Sequence, residues 1–307
     1  MFFRNLTLFR FPASVSFADI DERLHETALK PVGPLELSSR GFIPPFGNAA
    51  ENGNSDDVAY LHQIERSIWL AVGGEDRLLP SAVVNDQLQK KIAEFEARNG
   101  RKPGGKMRRQ LKDELVTDLL PRAFVRPVRT DALVDLKHHV IAIDTSSKKS
   151  AEAVVSQVRE ALGSFPALPL NAEVATGTLL TGWLAGDALP AGLSLGEECE
   201  LRDPGDSGAV VKLQGMELAG EEIETHLESG KQVTRLALKL DDHVSFVLGD
   251  DLVIRKFKLL DGAVEQLESS DRDDIRAELD ARFALMAAEF DRLFSVLEPV
   301  LKLSKAG

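Results

Sequence analysis

The string Gly205-Asp206-Ser207-Gly208 comes nearest to a catalytic motif in this chain. It matches the residues around the nucleophilic serine of chymotrypsin-like proteases, whose chemistry needs a histidine base and an aspartate that orients it. None of the six histidines lies in the histidine motif of those proteases. Because turns built from Asp, Gly and Ser are a far commoner cause of such a string, we predict a turn here and no protease.

A phosphate-binding loop is the second candidate. Gly100 to Lys106 has the glycine spacing of such a loop, but Met107 stands where Ser or Thr must hold the metal ion. The run also lies between two predicted helices, whereas a phosphate-binding loop follows a strand. Gly230-Lys231 lacks both the earlier glycine and the hydroxyl residue. The sequence therefore predicts no nucleotide site and no cofactor.

Residues that could bind a metal are few and poorly spaced. His138 and His139 are adjacent, so on a strand their side chains would point to opposite faces and could not bind one ion together. Asp241-Asp242-His243 and Asp250-Asp251 are explained more simply as turns between strands. With Cys199 as the single cysteine, no structural zinc is expected. We predict no metal site; an enzyme that uses scattered carboxylates and a metal, such as a hydrolase or a nuclease, stays open as the alternative.

Charge is distributed unevenly along the chain. From Lys90 to Thr130 there are 12 Lys and Arg against five Asp and Glu, a net charge of +7. The whole chain carries −12, so the remainder carries −19, and Glu197 to Glu228 is strongly acidic. A basic window of this kind indicates either a pair of solvated helices or a surface that binds phosphates. Its lack of aromatic residues interleaved with the basic ones argues against a platform for single-stranded bases.

The basic window is predicted to form a helical hairpin with a Gly-rich tip. Ser81 is a suitable cap for the first helix, Asn99 to Gly105 interrupts the chain, and Pro121 ends the second helix. The apolar stripes are Val84, Leu88, Ile92 and Phe95 in the first helix and Leu111, Leu115 and Leu119 in the second. Because these stripes are narrow, one long face of each helix is expected to stay in water.

The remaining pattern predicts an α+β protein of antiparallel sheets with segregated helices. Strands are expected at Phe2 to Phe11, Ser67 to Val72, Ala132 to Leu136, Val140 to Asp144 and, as a meander, Arg235 to Leu259. Helices are expected after Ser16 or Asp19, from Val154 to a Gly163 cap, near Trp183, and from Ile275 to Leu297 behind a cap at Ser270 to Asp274. Loops or turns are expected at Gly41 to Gly47, Gly73-Gly74 and most of Phe165 to Gly196. We divide the chain into residues 1–75, the hairpin 76–130, and residues 131–307.

Composition is that of a soluble globular protein. The 307 residues are 43% hydrophobic and 28% charged, and a chain of this length can bury a large core. A single cysteine favours a reducing compartment. Arg4 and Arg10 interrupt the apolar N-terminal stretch, so it is not read as a signal peptide, and there is no run of 18 apolar residues. A cytoplasmic location is predicted.

Several strings resemble proteins of the RdgC family, and they occur in the same order over nearly the whole chain. The first are MFFRNLTLFRF, Met1 to Phe11, and RGFIPPFG, Arg40 to Gly47. The most specific is Leu111 to Leu115 followed by Leu119 to Phe124. Further matches are Leu79-Pro80-Ser81, Ile92-Ala93, Ser147-Lys148-Lys149, Leu162 to Pro166, Glu221-Glu222-Ile223 and Gly230 to Leu238.

This resemblance implies a non-enzymatic protein that forms a ring-shaped homodimer. Two subunits of that family meet at two contacts, encircle duplex DNA without reading its sequence, and restrain RecA-mediated recombination, so association with the nucleoid is implied as well. The tip, Asn99 to Gly105, is richer in Gly and Pro than the family pattern. Lys212 to Glu217 is less basic than that pattern, which implies a weaker ring contact if this segment closes the ring.

The candidate site residues follow from the charge pattern and from the resemblance. Phe124 is implied to insert into the partner subunit; it follows Pro121 and lies between Arg122 and Arg126, which is a poor place for a core residue. A phenylalanine of unknown context is more often buried, and this alternative applies to Phe124 and Phe165 alike. The DNA-binding candidates are Lys90, Lys91, Arg98, Arg101, Lys102, Lys106, Arg108, Arg109, Lys112, Lys148 and Lys149.

Overall fold

The computed structural model describes residues 3–46, 59–205, 208–218, 220–265 and 275–304. These residues form an α+β fold with a large antiparallel sheet, as predicted. The chain divides into two compact units. Unit 1 comprises Met1–Glu26, Pro44–Ala71 and Thr130–Gly307, and unit 2 comprises Thr27–Ile43 and Val72–Arg129.

The elements are numbered along the chain. The strands are β1 (Leu6–Arg10), β2 (Ser38–Ile43), β3 (Leu61–Ile64), β4 (Ser67–Leu78), β5 (Phe124–Asp135), β6 (Val140–Asp144), β7 (Leu168–Pro169), β8 (Leu193–Arg202), β9 (Val210–Gln214), β10 (Gln232–Leu240), β11 (Val244–Gly249) and β12 (Ile254–Leu259). The helices are α1 (Ile20–Glu26), α2 (Ser81–Asn99), α3 (Gly105–Leu119), α4 (Lys148–Leu162), α5 (Thr176–Leu184), α6 (Glu221–Glu228), α7 (Asp261–Val264) and α8 (Ile275–Leu301). Because β4 and β5 are long, each contributes residues to both units.

Antiparallel pairing organises the sheet of unit 1. Its strands follow the order β5-β6-β1-β12-β11-β10-β8-β9, and each neighbouring pair is antiparallel. The predicted meander is confirmed as β10-β11-β12, with Leu238 opposite Phe246. The predicted turns at Asp241 to His243 and at Asp250-Asp251 join these strands. The meander forms because alternate residues are apolar, which places one face of each strand in the core.

The long helix α8 packs against the core of unit 1. The spacing of the apolar residues from Ile275 to Leu297 predicts a buried stripe on this helix. It is confirmed at Phe283, Met286, Phe290, Leu293 and Leu297, which are buried, whereas Leu279 is only partly buried. Three- and four-residue spacing places these side chains on one face. The predicted cap at Ser270 to Asp274 lies outside the described residues. The cap predicted at Gly163 is confirmed, since this glycine ends α4 with a φ of 73°.

Unit 2 combines three strands with two helices. β2, β4 and β5 are neighbours in that order, and α2 and α3 follow β4 along the chain. Gly100 ends α2 in the left-handed conformation, with a φ of 69°. Ser81 is the first residue of α2 and not its cap; Pro80 occupies the cap position without a side-chain hydrogen bond. A 3₁₀ turn, Leu120–Arg122, connects α3 to β5.

The predicted turn at Gly73-Gly74 is wrong, because β4 continues through both glycines to Leu78. A Cβ on Gly73 would lie 2.5 Å from the Ile43 side chain, and one on Gly74 would lie 2.8 Å from the Ser39 carbonyl oxygen. Both glycines therefore allow β2 to approach β4 closely. The loop predicted from Gly41 to Gly47 is wrong for Gly41 to Ile43, which belong to β2, and is confirmed for Pro44 to Phe46.

One further strand boundary differs from the prediction. β5 begins at Phe124, eight residues before the expected Ala132, so its first half is exposed strand that carries no apolar alternation. The acidic segment from Glu197 contains the end of β8, all of β9 and α6. Cross-strand pairing accounts for this strand structure, since Glu200 lies opposite both Lys212 and Arg235.

Candidate functional site

Helices α2 and α3 bury little of their surface. They share a small apolar cluster in which Val84, Leu88 and Leu115 are buried. Ile92, Leu111 and Leu119 of the predicted stripes are only partly buried around it. The narrow stripe therefore leaves most of both helices in solvent, as expected for a helix with few apolar positions.

The basic side chains of this helix pair lie at the surface. Eight of the nine candidates on α2, α3 and the segment between them are exposed, and Lys91 is half-buried. Lys90 Nζ lies 2.8 Å from Asp86 Oδ2, and Lys91 Nζ lies 3.2 Å from Asp118 Oδ2. The other seven form no ion pair with any described residue; they are Arg98, Arg101, Lys102, Lys106, Arg108, Arg109 and Lys112.

Unpaired cations of this kind are suited to binding phosphate. Arginine presents a planar fork of N–H donors that matches two phosphate oxygens, and lysine contributes a compact charge. Contacts to phosphate position a protein on a nucleic acid and carry no sequence information. The surface of α2 and α3 can therefore bind a polyanion without reading bases.

Lys148 and Lys149 belong to unit 1 and begin α4. Both side chains are exposed. Ser147 caps the helix, with its Oγ accepting a hydrogen bond from Ser150 N at 3.3 Å. The N-terminus of a helix favours an anion because its first N–H groups lack partners within the helix. These two lysines are therefore further candidates for binding phosphate, and they belong to a different unit from α2 and α3.

Phe124 and Phe165 have opposite environments. Phe165 is buried, 1% exposed, and its ring centroid lies 5.4 Å from that of Phe11. Phe124 is 84% exposed, and its neighbour Val125 is also exposed. The alternative that both are core residues is therefore wrong for Phe124 in the single chain and right for Phe165.

Arg77 holds the backbone that presents Phe124. Its Nη1 donates a hydrogen bond to the carbonyl oxygen of Leu120 at 2.9 Å and approaches that of Ala123 at 3.5 Å. Its Nε donates to Gly33 O at 3.2 Å, and its backbone N donates to Leu37 O at 2.8 Å. The start of β5 is therefore tied to the end of β4 and to the segment before β2.

Other exposed apolar side chains of unit 2 lie on these segments and in the first turn of α2. They are Leu35, Leu37, Leu78 and Val83, each between 42% and 62% exposed. Sequence analysis missed them, because single apolar residues in polar segments carry no periodic signal. The hydrogen bonds of Arg77 join the segments that carry Leu37, Leu78 and Phe124.

Asp76 connects the three strands of unit 2. Its carboxylate accepts hydrogen bonds from Arg40 Nη2 at 2.6 Å and from Arg126 Nη2 at 3.3 Å. Burial acts to raise the pKa of Asp76, but the hydrogen bonds and charges of Arg40 and Arg126 outweigh it and lower that pKa. Arg126, although it lies in the basic window, is thus engaged within unit 2.

The strings that resembled catalytic motifs take other roles. Gly100 to Lys106 joins α2 to α3 and does not follow a strand, as predicted. Gly205 N donates to Asp203 Oδ1 at 2.8 Å, which is a turn, while Asp206 and Ser207 lie outside the described residues. The premise that His138 and His139 lie on a strand is wrong, since both belong to the turn between β5 and β6. In the part of the chain that the structure describes, no helix is long and apolar enough to cross a membrane.

Comparison with known proteins identifies relatives along the full length. The RdgC family model, described as "Putative exonuclease, RdgC", matches residues 1–304. The recombination-associated protein RdgC of Xanthomonas campestris pv. campestris (strain B100) is 64% identical over 306 residues, which cover 100% of this chain and 99% of that relative. The proteins of the same name from Xanthomonas axonopodis pv. citri (strain 306) and Stenotrophomonas maltophilia (strain R551-3) are 64% and 57% identical, with 100% of each chain covered. The resemblance inferred from the sequence strings is confirmed.

Proposed function

The chain belongs to the RdgC family, and from that premise we propose that it binds duplex DNA without reading its sequence and restrains RecA-mediated recombination. The observation that carries the proposal is the set of seven unpaired basic side chains on α2, α3 and the segment between them. The shared name of the relatives associates them with recombination, a process whose substrate is DNA.

Phosphate contacts supply the affinity in this proposal. Each contact releases counterions from the duplex, so the logarithm of the binding constant falls against the logarithm of salt concentration with a slope of about −0.9 per contact. A chain with a net charge of −12 can bind DNA where its cations converge on one surface. We propose that the unpaired cations of unit 2 supply this surface and that Lys148 and Lys149 of unit 1 are further contacts.

We also propose that α2 and α3 form a protruding basic hairpin and that two subunits close into a ring around the duplex. Phe124 is the proposed anchor of one of the two contacts between subunits. A phenylalanine that is 84% exposed in the single chain leaves a large apolar surface in water, and a partner subunit can remove it. A buried aromatic anchor at the centre of an interface is typically worth about 2 kcal/mol or more.

We propose that the protein has no catalytic activity, although its family model carries the description "Putative exonuclease, RdgC". The candidate contacts are Lys and Arg, which donate hydrogen bonds to phosphate but offer no acceptor at neutral pH. The alternative, a metal-dependent nuclease, is tested by incubating end-labelled duplex and single-stranded DNA with the protein and Mg²⁺ or Mn²⁺. Release of nucleotides from an end would establish the alternative, provided that a chelator stops it.

The binding proposal is tested with three duplexes of equal length and unrelated sequence. Fluorescence anisotropy should give equal dissociation constants at equal salt. If six to eight phosphates are neutralised, the slope of log K against log salt should be about −5 to −7. A flat salt response, or a strong preference for one duplex at equal salt, would falsify the proposal.

Restraint of RecA is tested separately in a strand-exchange reaction. We expect inhibition to rise with the fraction of duplex that the protein covers, because the protein competes for the DNA. In cells, a fluorescent fusion should coincide with the nucleoid. Inhibition at protein concentrations too low to cover the duplex would instead indicate direct contact with RecA.

A further inference from the structure

The turn between β5 and β6 meets α8 within unit 1. There His138 Nε2 lies 2.7 Å from Asp291 Oδ1, and ligand atoms of Asp135, His138 and Asp291 all lie within 4.8 Å of one another. One imidazole nitrogen with two carboxylate oxygens is a donor set that suits zinc and manganese. We propose that these three residues bind a divalent transition-metal ion that joins the turn to α8. None of these three residues is among the proposed DNA contacts.

The turn orients the Asp135 carboxylate without help from an ion. Asp135 Oδ1 accepts hydrogen bonds from Lys137 N at 2.7 Å and from His138 N at 3.1 Å. Asp135 is 4% exposed, so its side chain has little freedom to move. A ligand that the fold holds in place loses little entropy when an ion binds.

A carboxylate also lies near the second ring nitrogen of His138. That nitrogen, Nδ1, is 3.8 Å from Glu298 Oε2, which is longer than a hydrogen bond. Glu298 Oε1 accepts a hydrogen bond from Arg10 Nη2 at 2.5 Å, and Arg10 is 8% exposed. Glu298 therefore places negative charge close to the imidazole and is itself held in position by Arg10.

Solvent reaches this cluster at Asp291, whose side chain is 38% exposed. His138 and Glu298 also line a groove of about 840 Å³ together with Glu173, Ser295, Pro299 and residues 302–304. The cluster therefore offers the ligand types, the close spacing of ligand atoms and the access that a metal ion needs.

The ammonium group of Lys137 competes with the proposed ion for the carboxylate of Asp291. Lys137 Nζ donates to both oxygens of Asp291, at 2.6 Å and 2.9 Å. A metal ion must displace this ammonium group before Asp291 can bind it. Replacing Lys137 should therefore strengthen metal binding, whereas a simple ion-pair network would only lose one of its members.

Zinc titration of the chelator-treated full-length protein is the direct test. Calorimetry should show one site in the wild type, at least tenfold weaker binding in His138→Asn and Asp291→Asn, and tighter binding in Lys137→Met. His243→Asn is the matched control, because His243 Nδ1 also lies 2.7 Å from a carboxylate of α8, that of Glu289, but no third ligand joins this pair among the described residues. Its affinity for zinc should equal that of the wild type.

A second measurement does not depend on any variant. Co²⁺ added to the wild type should produce visible absorption that an equimolar amount of Zn²⁺ abolishes. The proposal is overturned if the wild type binds neither ion at millimolar concentration, or if His138→Asn and His243→Asn weaken binding equally. It is also overturned if Lys137→Met binds zinc no more tightly, because the cluster is then an ion-pair network alone.

Discussion

Unit 1 and the helix pair of unit 2 use their helices in opposite ways. Along α8, the five stripe residues Phe283, Met286, Phe290, Leu293 and Leu297 are at most 3% exposed and join a large core. Along α2 and α3 together, only Val84, Leu88 and Leu115 are buried. Helices that bury so little gain little from packing. The difference indicates that α8 serves stability and that α2 and α3 serve as a charged surface.

The two phenylalanines repeat this contrast on a smaller scale. Phe165 packs with Phe11 and Phe17 in unit 1, whereas Phe124 stands exposed in unit 2. Replacing Phe165 by a small residue would remove packing contacts within unit 1. Replacing Phe124 would remove almost no contacts within the single chain, so a functional defect in that variant would come from a lost contact with a partner. The following predictions use substitutions that separate these two roles.

The largest effect is expected for the unpaired cations of unit 2. Replacing Arg98, Arg101, Lys102, Arg108, Arg109 and Lys112 by Ala should weaken duplex binding by about 10⁴-fold at 0.15 M salt, if each side chain contacts one phosphate. The salt slope should fall by about one for each residue replaced, and stability should hardly change because all six are exposed. Anisotropy titrations and urea unfolding measure the two quantities.

The matched control is Lys90→Ala with Lys91→Ala. Both lysines already have carboxylate partners in unit 2, Asp86 and Asp118. Their replacement should cost less affinity per residue than replacement of the unpaired cations. An unchanged affinity in the sixfold variant would show that α2 and α3 do not face DNA, and Lys148 and Lys149 would then be tested next.

Next in size is the loss of a core aromatic from α8. Phe290→Ala should lower the free energy of unfolding by about 3–5 kcal/mol, because it removes a large buried side chain and leaves a cavity. Phe290 is 1% exposed. Urea unfolding followed by circular dichroism measures the change. A loss below 1 kcal/mol would mean that α8 is not the stabilising element that its burial indicates.

A smaller effect, on assembly alone, is expected for Phe124→Ser. The variant should unfold at the same urea concentration as the wild type when both are monomeric, since an exposed side chain contributes within about 0.5 kcal/mol. One subunit contact should weaken by about 2 kcal/mol or more, and dissociation from a long duplex with blocked ends should become faster. Sedimentation and stopped-flow dissociation measure these effects. An unfolded monomer would show that Phe124 is a core residue, and unchanged dissociation would show that the ring does not close through it.

The smallest effect is expected on the pH dependence of stability when Asp76 is replaced. The pKa of Asp76 is lower in the folded protein than in the unfolded chain. The ionised carboxylate therefore stabilises the fold fully at any pH above its pKa in the unfolded chain, and this contribution is lost as the pH falls through its pKa in the folded protein. The contribution of such a partly exposed pair is at most about 1 kcal/mol. Asp76→Asn should therefore reduce stability at pH 7 and have almost no effect at pH 2. An equal loss at both pH values would assign the effect to packing rather than to charge.

Sequence by itself determined the features that depend on local periodicity. Alternating apolar residues from Arg235 to Leu259 predicted the meander, and three- and four-residue spacing predicted α8 and the narrow stripes of α2 and α3. Such patterns can be read directly because a strand repeats every two residues and a helix every 3.6. The uneven charge of the chain and the family strings are likewise properties of the sequence alone.

Tertiary structure decided which of these residues meet. Lys91 and Asp118 are 27 positions apart, and His138 and Asp291 are 153 apart, so no local pattern relates them. Gly73-Gly74 resembled a turn, yet the close approach of β2 makes glycine necessary inside a strand. Phe124 and Phe165 are the same residue type, and the packing of other elements decides that Phe165 is buried and Phe124 exposed. A contact depends on where the chain places both partners, whereas a periodic pattern belongs to a single segment.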